Sequence, residues 1–390
     1  MVTVTGNPVT VQQILQQYHQ TSSHPHVHRV MTQLKKCKTS ELGFHLYRCT
    51  DDDCAQYKYQ YHGCRNRHCP QCGGFKKDEW IEDRRRELLP VGYYHVVFTL
   101  PHELNSIILG NRNQLFKLLF DASAQTLLQF GNDELHLGAT PGIISLLHTW
   151  GQDMCFHPHV HCIVSGGGIE GMKWKNPNRI KDNFLFPVNA MRIVFRAKFL
   201  QGLKSLNENK QIQLPQDYNL RQLINNLYKK NWNLYAKAPC AGPQQVIEYL
   251  GRYTNKVAIS NYRIVENDLI NGKVTFRYKD YADGDKTKLM SLAGPEFVRR
   301  FEQHILPKGF TKIRSYGYLS NRGRTLRLQT ITLAMKIPPH PPKVKTPWTV
   351  RLFEKFGIKH TTCPHCKKES LELIWENYPG RQIRKKIDDS

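Results

Sequence analysis

HPHVHCIVSGGG, residues His157 to Gly168, is the stretch on which the reading of this chain turns. A bound cation needs its imidazoles on one side of the backbone. In a strand, side chains at i and i+2 share a face; in a helix they diverge by about 200°, two steps of about 100°. The β-rich run Cys162–Ser165 and the glycines at 166–168 predict a strand that the triple glycine ends. His159 and His161 then project from one face, with Val160 on the other. Two imidazoles so placed can hold a divalent cation, and a catalytic site needs a third ligand besides. His157, His148, Gln152 and Glu248 are the candidates for it.

The same five residues, His-Pro-His-Val-His, occur earlier as His24 to His28. There Ser22 or Ser23 can cap a helix, Pro25 suits its first turn, and VHRVMTQLKKC continues at helical spacing. His26 and His28 would face apart, so this copy is not expected to hold a metal.

The whole chain is strongly basic. Its 390 residues carry 56 Lys plus Arg against 32 Asp plus Glu, a net charge of +24. Such an excess implies a polyanionic partner, nucleic acid first and an anionic membrane surface second. No run approaches the roughly 18 apolar residues of a membrane span. The nearest, LLPVGYYHVVFTLP, is interrupted by Pro, Gly, His and Tyr. The first residues show no basic stretch followed by an apolar core. The expectation is a cytoplasmic protein with no membrane partner.

Eleven cysteines, an odd number, in a reducing compartment point to metal rather than disulfides. Cys49 and Cys54 flank three acids, and Cys69 and Cys72 form a CPQC knuckle followed by glycine. These four make a structural Zn²⁺ site of thiolates. Cys37, His45, Cys64 and His68 remain for a second set, or Cys37 or Cys64 replaces one of the four. Cys363 and Cys366 in CPHC are half a site, which His340, His360 or His365 can join.

Residues 10–36 read as helical with a break, and 37–74 as turn-rich. FKKDEWIEDRRRELLP reads as a charged helix, YYHVVFTLP as a strand, and 105–131 as an amphipathic helix. GIISLLHTWG and the histidine segment are further strands. Residues 191–206, 216–236 and PQQVIEYLGRYTNKVA read as helices. YRIVEN and KVTFRYKDY form a hairpin, followed by helix GPEFVRRFEQHIL and strand FTKIRSYGYLS. The expected class is α+β, an antiparallel sheet flanked by helices with a small Cys-rich zinc domain. The expected segments are 1–90, helical and zinc-binding; 91–336, the sheet domain; and 337–390, a Pro-rich linker with a basic tail.

EYLGRYTNK places Tyr249 and Tyr253 on one face of a predicted helix, a turn apart. A phenol, with a pKa near 10, becomes a useful nucleophile when a metal and basic groups stabilise developing charge. Arg252 and Lys256 lie close by. Basic and aromatic residues also interleave in KIRSYGYLSNRGR, so Arg314, Arg322 and Arg324 are candidate DNA contacts, as are Arg65 and Arg67 beside the cysteines. A zinc-dependent DNA-binding regulator would be equally basic and Cys-rich, but has no need of the His pair and the paired tyrosines.

HPHVHCIVSGGG with YLGRYTNKVAISNYRI resembles the HUH superfamily of single-strand DNA nucleases. More closely, the chain resembles the two-tyrosine, rolling-circle insertion-sequence transposases, distant relatives of helitrons. CRNRHCPQC, YYHVVFTLPHEL, LHTWGQDMCFHPHVHCIVSGGG and FVRRFEQHILPKGFTKIRSYGYLSNRGR carry that likeness over most of the chain. The resemblance implies an HUH-type sheet, His159 and His161 as ligands of Mg²⁺ or Mn²⁺, and Tyr249 and Tyr253 as nucleophiles. It also implies a zinc-binding N-terminal domain and a 5′-phosphotyrosine intermediate. Single-stranded DNA at transposon ends and target DNA would be the partners. A plasmid replication initiator of the same chemistry would carry the same residues; the CRNRHCPQC domain favours the transposase. A nuclease using water is the remaining enzyme reading, and it would form no covalent protein–DNA product.

Overall fold

The computed structural model describes residues 9–72, 74–177, 185–216, 218–240, 246, 251, 257–338 and 346–384. Its strands, in chain order, are β1 (Phe44–Cys49), β2 (Tyr57–Tyr61), β3 (Tyr93–Thr99), β4 (Thr140–Trp150), β5 (Phe156–Glu170), β6 (Lys173–Lys175), β7 (Leu234–Cys240), β8 (Ile264–Asp268), β9 (Lys273–Asp280), β10 (Lys286–Ala293), β11 (Ile313–Gly317), β12 (Leu371–Tyr378) and β13 (Arg381–Arg384). The chain divides into two compact units. One contains the described residues between 74 and 338, and the other combines 9–72 with 346–384. The class is α+β, with antiparallel sheets and helices. No helix among the described residues is long and apolar enough to cross a membrane.

The larger unit is built on a six-stranded sheet of order β11-β4-β5-β3-β7, with β6 paired to β5. β5 lies at its centre, and strict alternation sorts its side chains. Val160, Cys162 and Val164 are fully buried against helices Arg112–Asn132 and Val188–Glu208, through Leu115, Leu119, Phe195 and Phe199. Ile163 points the other way, into a second core with Tyr93, Ile144, Val246, Tyr318 and Ile331. A three-stranded sheet, β10-β9-β8, leads into helix Gly294–Gln303.

Three sequence expectations change here. The triple glycine does not end β5, which runs on to Glu170. A Cβ on Gly167 would lie 2.3 Å from the Trp174 ring, so this glycine admits a close neighbour and does not break the strand. The helix expected over 216–236 spans only Leu220–Lys229. Lys230 takes extended dihedrals, and Leu234 and Ala236 then pack at a spacing of two, making β7 the sheet's edge beside β3. The turn-rich stretch 37–74 contains β1 and β2; the alternation of YKYQY is a strand signal that the turn-rich composition around it masked.

The smaller unit holds helices Val11–Tyr18 and Pro25–Lys35 and a four-stranded antiparallel sheet, β13-β12-β1-β2. The tail segment that the sequence separates as 337–390 thus supplies two strands to the N-terminal unit. The first His-Pro-His-Val-His copy opens a helix as expected, with Pro25 in its first turn. Its cap is His24 and not Ser22 or Ser23: His24 Nδ1 accepts the His26 N–H at 3.1 Å.

Gly317 ends β11 at φ +62°, where an added Cβ would sit 1.7 Å from the Pro141 carbonyl oxygen. Gly317→Ala should cost about 2 kcal/mol or more. Gly309→Ala, at φ +73° with no atom within 4 Å, should cost only the backbone term, about 1 kcal/mol. Urea unfolding of both variants beside the parent measures the difference, and equal losses would contradict it.

Candidate functional site

β4 and β5 bring three histidines together. His148 on β4 is the direct cross-strand partner of His159, and Leu146 that of His161. Directly opposed residues share a face, as do i and i+2, so His148, His159 and His161 point to one side. Each offers a ring nitrogen within 4.8 Å of those of the other two. His148 is buried and the other two are half-buried. Trp150 stacks on His148 with ring centroids 4.7 Å apart. Buried His304 bonds to the Met154 carbonyl at 3.0 Å and to the Thr149 hydroxyl at 3.2 Å, which fixes the turn joining the two strands.

Hydrogen bonds orient the rings. His159 Nδ1 lies 2.7 Å from the His157 carbonyl, to which it donates, leaving Nε2 with its lone pair. His161 Nδ1 lies 2.9 Å from Nε2 of His95 on β3. The two rings are nearly parallel, 5.2 Å apart. Burial lowers the His95 imidazole to about 3 and the His159 imidazole to about 4. Both are therefore neutral at pH 7, the form in which imidazole binds a cation. A hydrogen bond from His161 Nδ1–H to Nε2 of neutral His95 leaves His161 Nε2 with its lone pair directed to the site. Three imidazoles, two of them held by a second contact on Nδ1, fit a divalent cation with open positions.

Of the four third-position candidates, His148 stands in this cluster. Gln152 does not: its amide donates to the Tyr281 hydroxyl at 3.0 Å. His157 is exposed and contributes its carbonyl. Glu248, with Tyr249, Arg252, Tyr253 and Lys256, lies outside the described residues. The sequence did not single out His95. It sits in an apolar strand, YYHVVFT, where a polar residue was the available signal, but only the β3–β5 register shows what it faces.

The candidate arginines separate. Arg314 packs its guanidinium over Phe120 and Phe310, 4.5 and 5.3 Å from the ring centres. It pairs across from Ser145, on the helix side of the sheet and away from the histidines. Arg324 pairs with Glu87 at 3.2 Å. Both have structural partners that the sequence did not show. Arg322, Arg65 and Arg67 are exposed.

The cysteines fall into two clusters, and the division differs from the expected one. Cys37, Cys64, Cys69 and Cys72 form the first, with Sγ separations of 3.4 Å for 37–72, 3.5 Å for 37–69 and 3.8 Å for 64–72. Cys49, Cys54, Cys363 and Cys366 form the second, at 3.7 Å for 49–366 and 3.8 Å for 54–363. Four sulfurs about 2.3 Å from one zinc stand about 3.8 Å apart at tetrahedral angles, so both sets fit that ion. The expected quartet is thus split. Cys49 and Cys54 lie at the β1 end and turn toward the tail; Cys69 and Cys72 turn toward the helix that ends before Cys37. His45 and His68 join neither, and His45 Nε2 meets the Tyr378 hydroxyl at 3.2 Å. The Lys368 backbone N–H lowers the Cys366 thiol to about 7, which favours a thiolate there.

Comparison with known proteins decides the family. Residues 142–326 match the family described as "Putative transposase", and residues 10–100 match "Transposase zinc-binding domain". "Putative transposase y4qJ" of Sinorhizobium fredii (strain NBRC 101917 / NGR234) is 40% identical over 358 residues, covering 89% of this chain and 88% of its own. This chain belongs to the insertion-sequence transposases. The transposase for insertion sequence element IS801 of Pseudomonas savastanoi pv. phaseolicola is 30% identical over 319 residues, covering 80% and 76%. Among solved structures, the conjugative relaxase TrwC in complex with oriT DNA, metal-bound, matches 43% of this transposase and 72% of its own chain at 11% identity, with a TM-score of 0.23. The zinc-domain match covers Cys37, Cys49, Cys54, Cys64, Cys69 and Cys72, and stops far short of Cys363 and Cys366.

Two measurements follow from these geometries. Elemental analysis of the full transposase should return two zinc ions per chain. Cys37→Ser and the pair Cys363→Ser with Cys366→Ser should each remove one; a single ion untouched by the tail substitutions would refute the second cluster. Separately, His95→Ala should weaken Mn²⁺ binding by roughly 10- to 100-fold in calorimetry, as loss of a ligand's hydrogen-bonded support does. Unchanged affinity would leave His95 with a packing role alone.

Proposed function

We propose that this transposase cuts and rejoins single-stranded DNA through tyrosine, moving its element by a rolling-circle route. The observation that carries the reading is the convergence of His148, His159 and His161 on one face of adjacent strands, with ring nitrogens within 4.8 Å of one another. Mg²⁺ or Mn²⁺ bound there would supply positive charge to the scissile phosphate. The chain's own residues supply the rest. The strands fix the imidazoles, His95 and the His157 carbonyl set their tautomers, and Trp150 closes one side of His148.

In the chemical step, a tyrosine hydroxyl oxygen bonds to phosphorus as the bond from phosphorus to the 3′ oxygen breaks. The phenolic proton ends on the departing 3′-hydroxyl, and a 5′-phosphotyrosine remains. No water enters, so the phosphodiester's energy is conserved and a 3′-hydroxyl can reverse the step on another strand. Tyr249 and Tyr253 are the proposed nucleophiles. Val246, three positions before Tyr249, is buried with Ile144 and Ile163 on the histidine side of the sheet. This supports delivery of the tyrosine segment to that face. Arg252 and Lys256 are proposed phosphate contacts, with Arg322, Arg65 and Arg67 as exposed basic residues available to the strand. Transposon ends and target DNA are the proposed substrates.

Incubating the full chain with labelled single-stranded DNA from the element's end and Mn²⁺ should give a labelled protein band on denaturing gels. Tyr249→Phe and Tyr253→Phe together should abolish the band. Loss of the band in one single variant would assign the first cut to that tyrosine. Cleavage without a covalent band would overturn the proposal in favour of a nuclease that uses water.

A further inference from the structure

We propose that the open face of the β13-β12-β1-β2 sheet is a stacking platform for unpaired DNA bases, separate from the histidine cluster. The inference rests on the reading of single-stranded DNA as substrate, and it adds a second place where that strand is held. Alternation divides this sheet into two unlike faces. Tyr47, Cys49 and Leu371 are buried on one side, with the second cysteine cluster. On the other side, register places Phe44 opposite Tyr61, Leu46 opposite Tyr59 and Arg48 opposite Tyr57, with Trp375 beside Leu46 on β12. No residue of this second group is buried. Tyr57, Tyr59 and Tyr61 are 54%, 55% and 42% exposed.

Three aromatics on an exposed edge strand are unusual. β2 ends the sheet's strand order, and such edges are commonly protected by charge, proline or a bulge. Here alternate positions carry flat rings ending in hydroxyls. Tyr59 and Tyr61 lie nearly parallel, 16° apart in plane and 6.2 Å between ring centres. A base inserted between two rings needs their planes about 6.8 Å apart, twice the roughly 3.4 Å step of stacked bases, so the two rings must spread to admit one. Phe44 supports both from β1, with ring centres 5.4 and 6.1 Å away. Arg48 is exposed beside Tyr57, where a phosphate of the same strand would lie.

The occupant follows from this chemistry. Rings offer π-faces to bases and select none of the four, as a strand-holding surface requires. Bases in duplex DNA are already stacked and present only edges, so the platform suits a single strand. A net charge of +24 opposes an acidic backbone and not an apolar protein surface.

The test uses the full chain and fluorescence anisotropy with two fluorescein-labelled probes, an oligothymidylate and an abasic strand of equal length and charge. Tyr59→Ala should weaken oligothymidylate binding on the order of tenfold, and the triple Tyr57→Ala, Tyr59→Ala, Tyr61→Ala more so. Tyr59→Phe should bind like the parent. The abasic strand should bind more weakly and ignore all three changes. The salt dependence should stay the same, because no charge is removed. Two zinc ions per chain in each variant would show that the unit is intact. Covalent capture of element-end DNA at saturating concentration should persist in the triple variant, which separates this platform from the cutting chemistry. Equal oligothymidylate binding by parent and triple variant would overturn the platform and leave the face to a protein contact, even if capture is normal.

Discussion

Alternation along β5 is the constraint on which the larger unit depends. A strand at the centre of a sheet has two faces and one residue in two for each. Val160, Cys162 and Val164 must be apolar to bury against the two long helices, so His159 and His161 necessarily lie on the other side. A slip of one residue would bury both imidazoles among phenylalanines and expose the valines. Hydrophobic burial of one face thus fixes the polar geometry of the other. The same register, extended across β4 and β3, brings His148 and His95 to the pair.

Much of this was legible. A spacing of two in a β-rich run was sufficient to put both histidines on one face and Val160 on the opposite one. It also distinguished the second His-Pro-His-Val-His from the first, which begins a helix at Pro25. Strand neighbours were not legible. His148 was one of four third-position candidates because sequence gives no register between β4 and β5. His95 was missed because its meaning depends on which strand lies beside β3. Arg314 looked like a surface cation in a basic, aromatic stretch, yet the ring it covers, Phe120, belongs to a distant helix. The third strand of the smaller antiparallel sheet, β10, hid in DGDKTKLMSLA, where Leu289 faces out and Lys288 shares the inner side with Met290 and Leu292, so apolar and polar residues do not alternate.

The cysteines show the same boundary. Knuckle spacing marked Cys69–Cys72 and Cys363–Cys366 as half-sites, since the turn itself aims amides at sulfur. What completes each half-site is a matter of tertiary structure. Cys363 lies 309 positions from Cys54, and Cys366 lies 317 from Cys49. No local pattern spans that distance, and the Cys49–Cys54 pair was the natural but incorrect partner for Cys69 and Cys72, which Cys37 and Cys64 complete instead.

That separation has a physical reason. The smaller unit has few buried apolar side chains around the second cluster: Tyr47, Leu371, Cys49 and Cys363. A sheet with one open face gains little from hydrophobic burial, and small units of this kind need a metal or a crosslink to offset chain entropy. Four thiolates around one zinc would supply that, tying β1 to the turn before β12. The entropy of closing so long a loop grows only slowly with its length, so recruiting the last segment of the chain costs little more than recruiting a near one. Because β12 and Cys363–Cys366 arrive after the larger unit in the sequence, the N-terminal helices and β1–β2 hairpin cannot complete their sheet until the rest of the chain is present. The open aromatic face belongs to this late-completed sheet, so its flatness and its register depend on the tail as much as on the strand that carries the tyrosines.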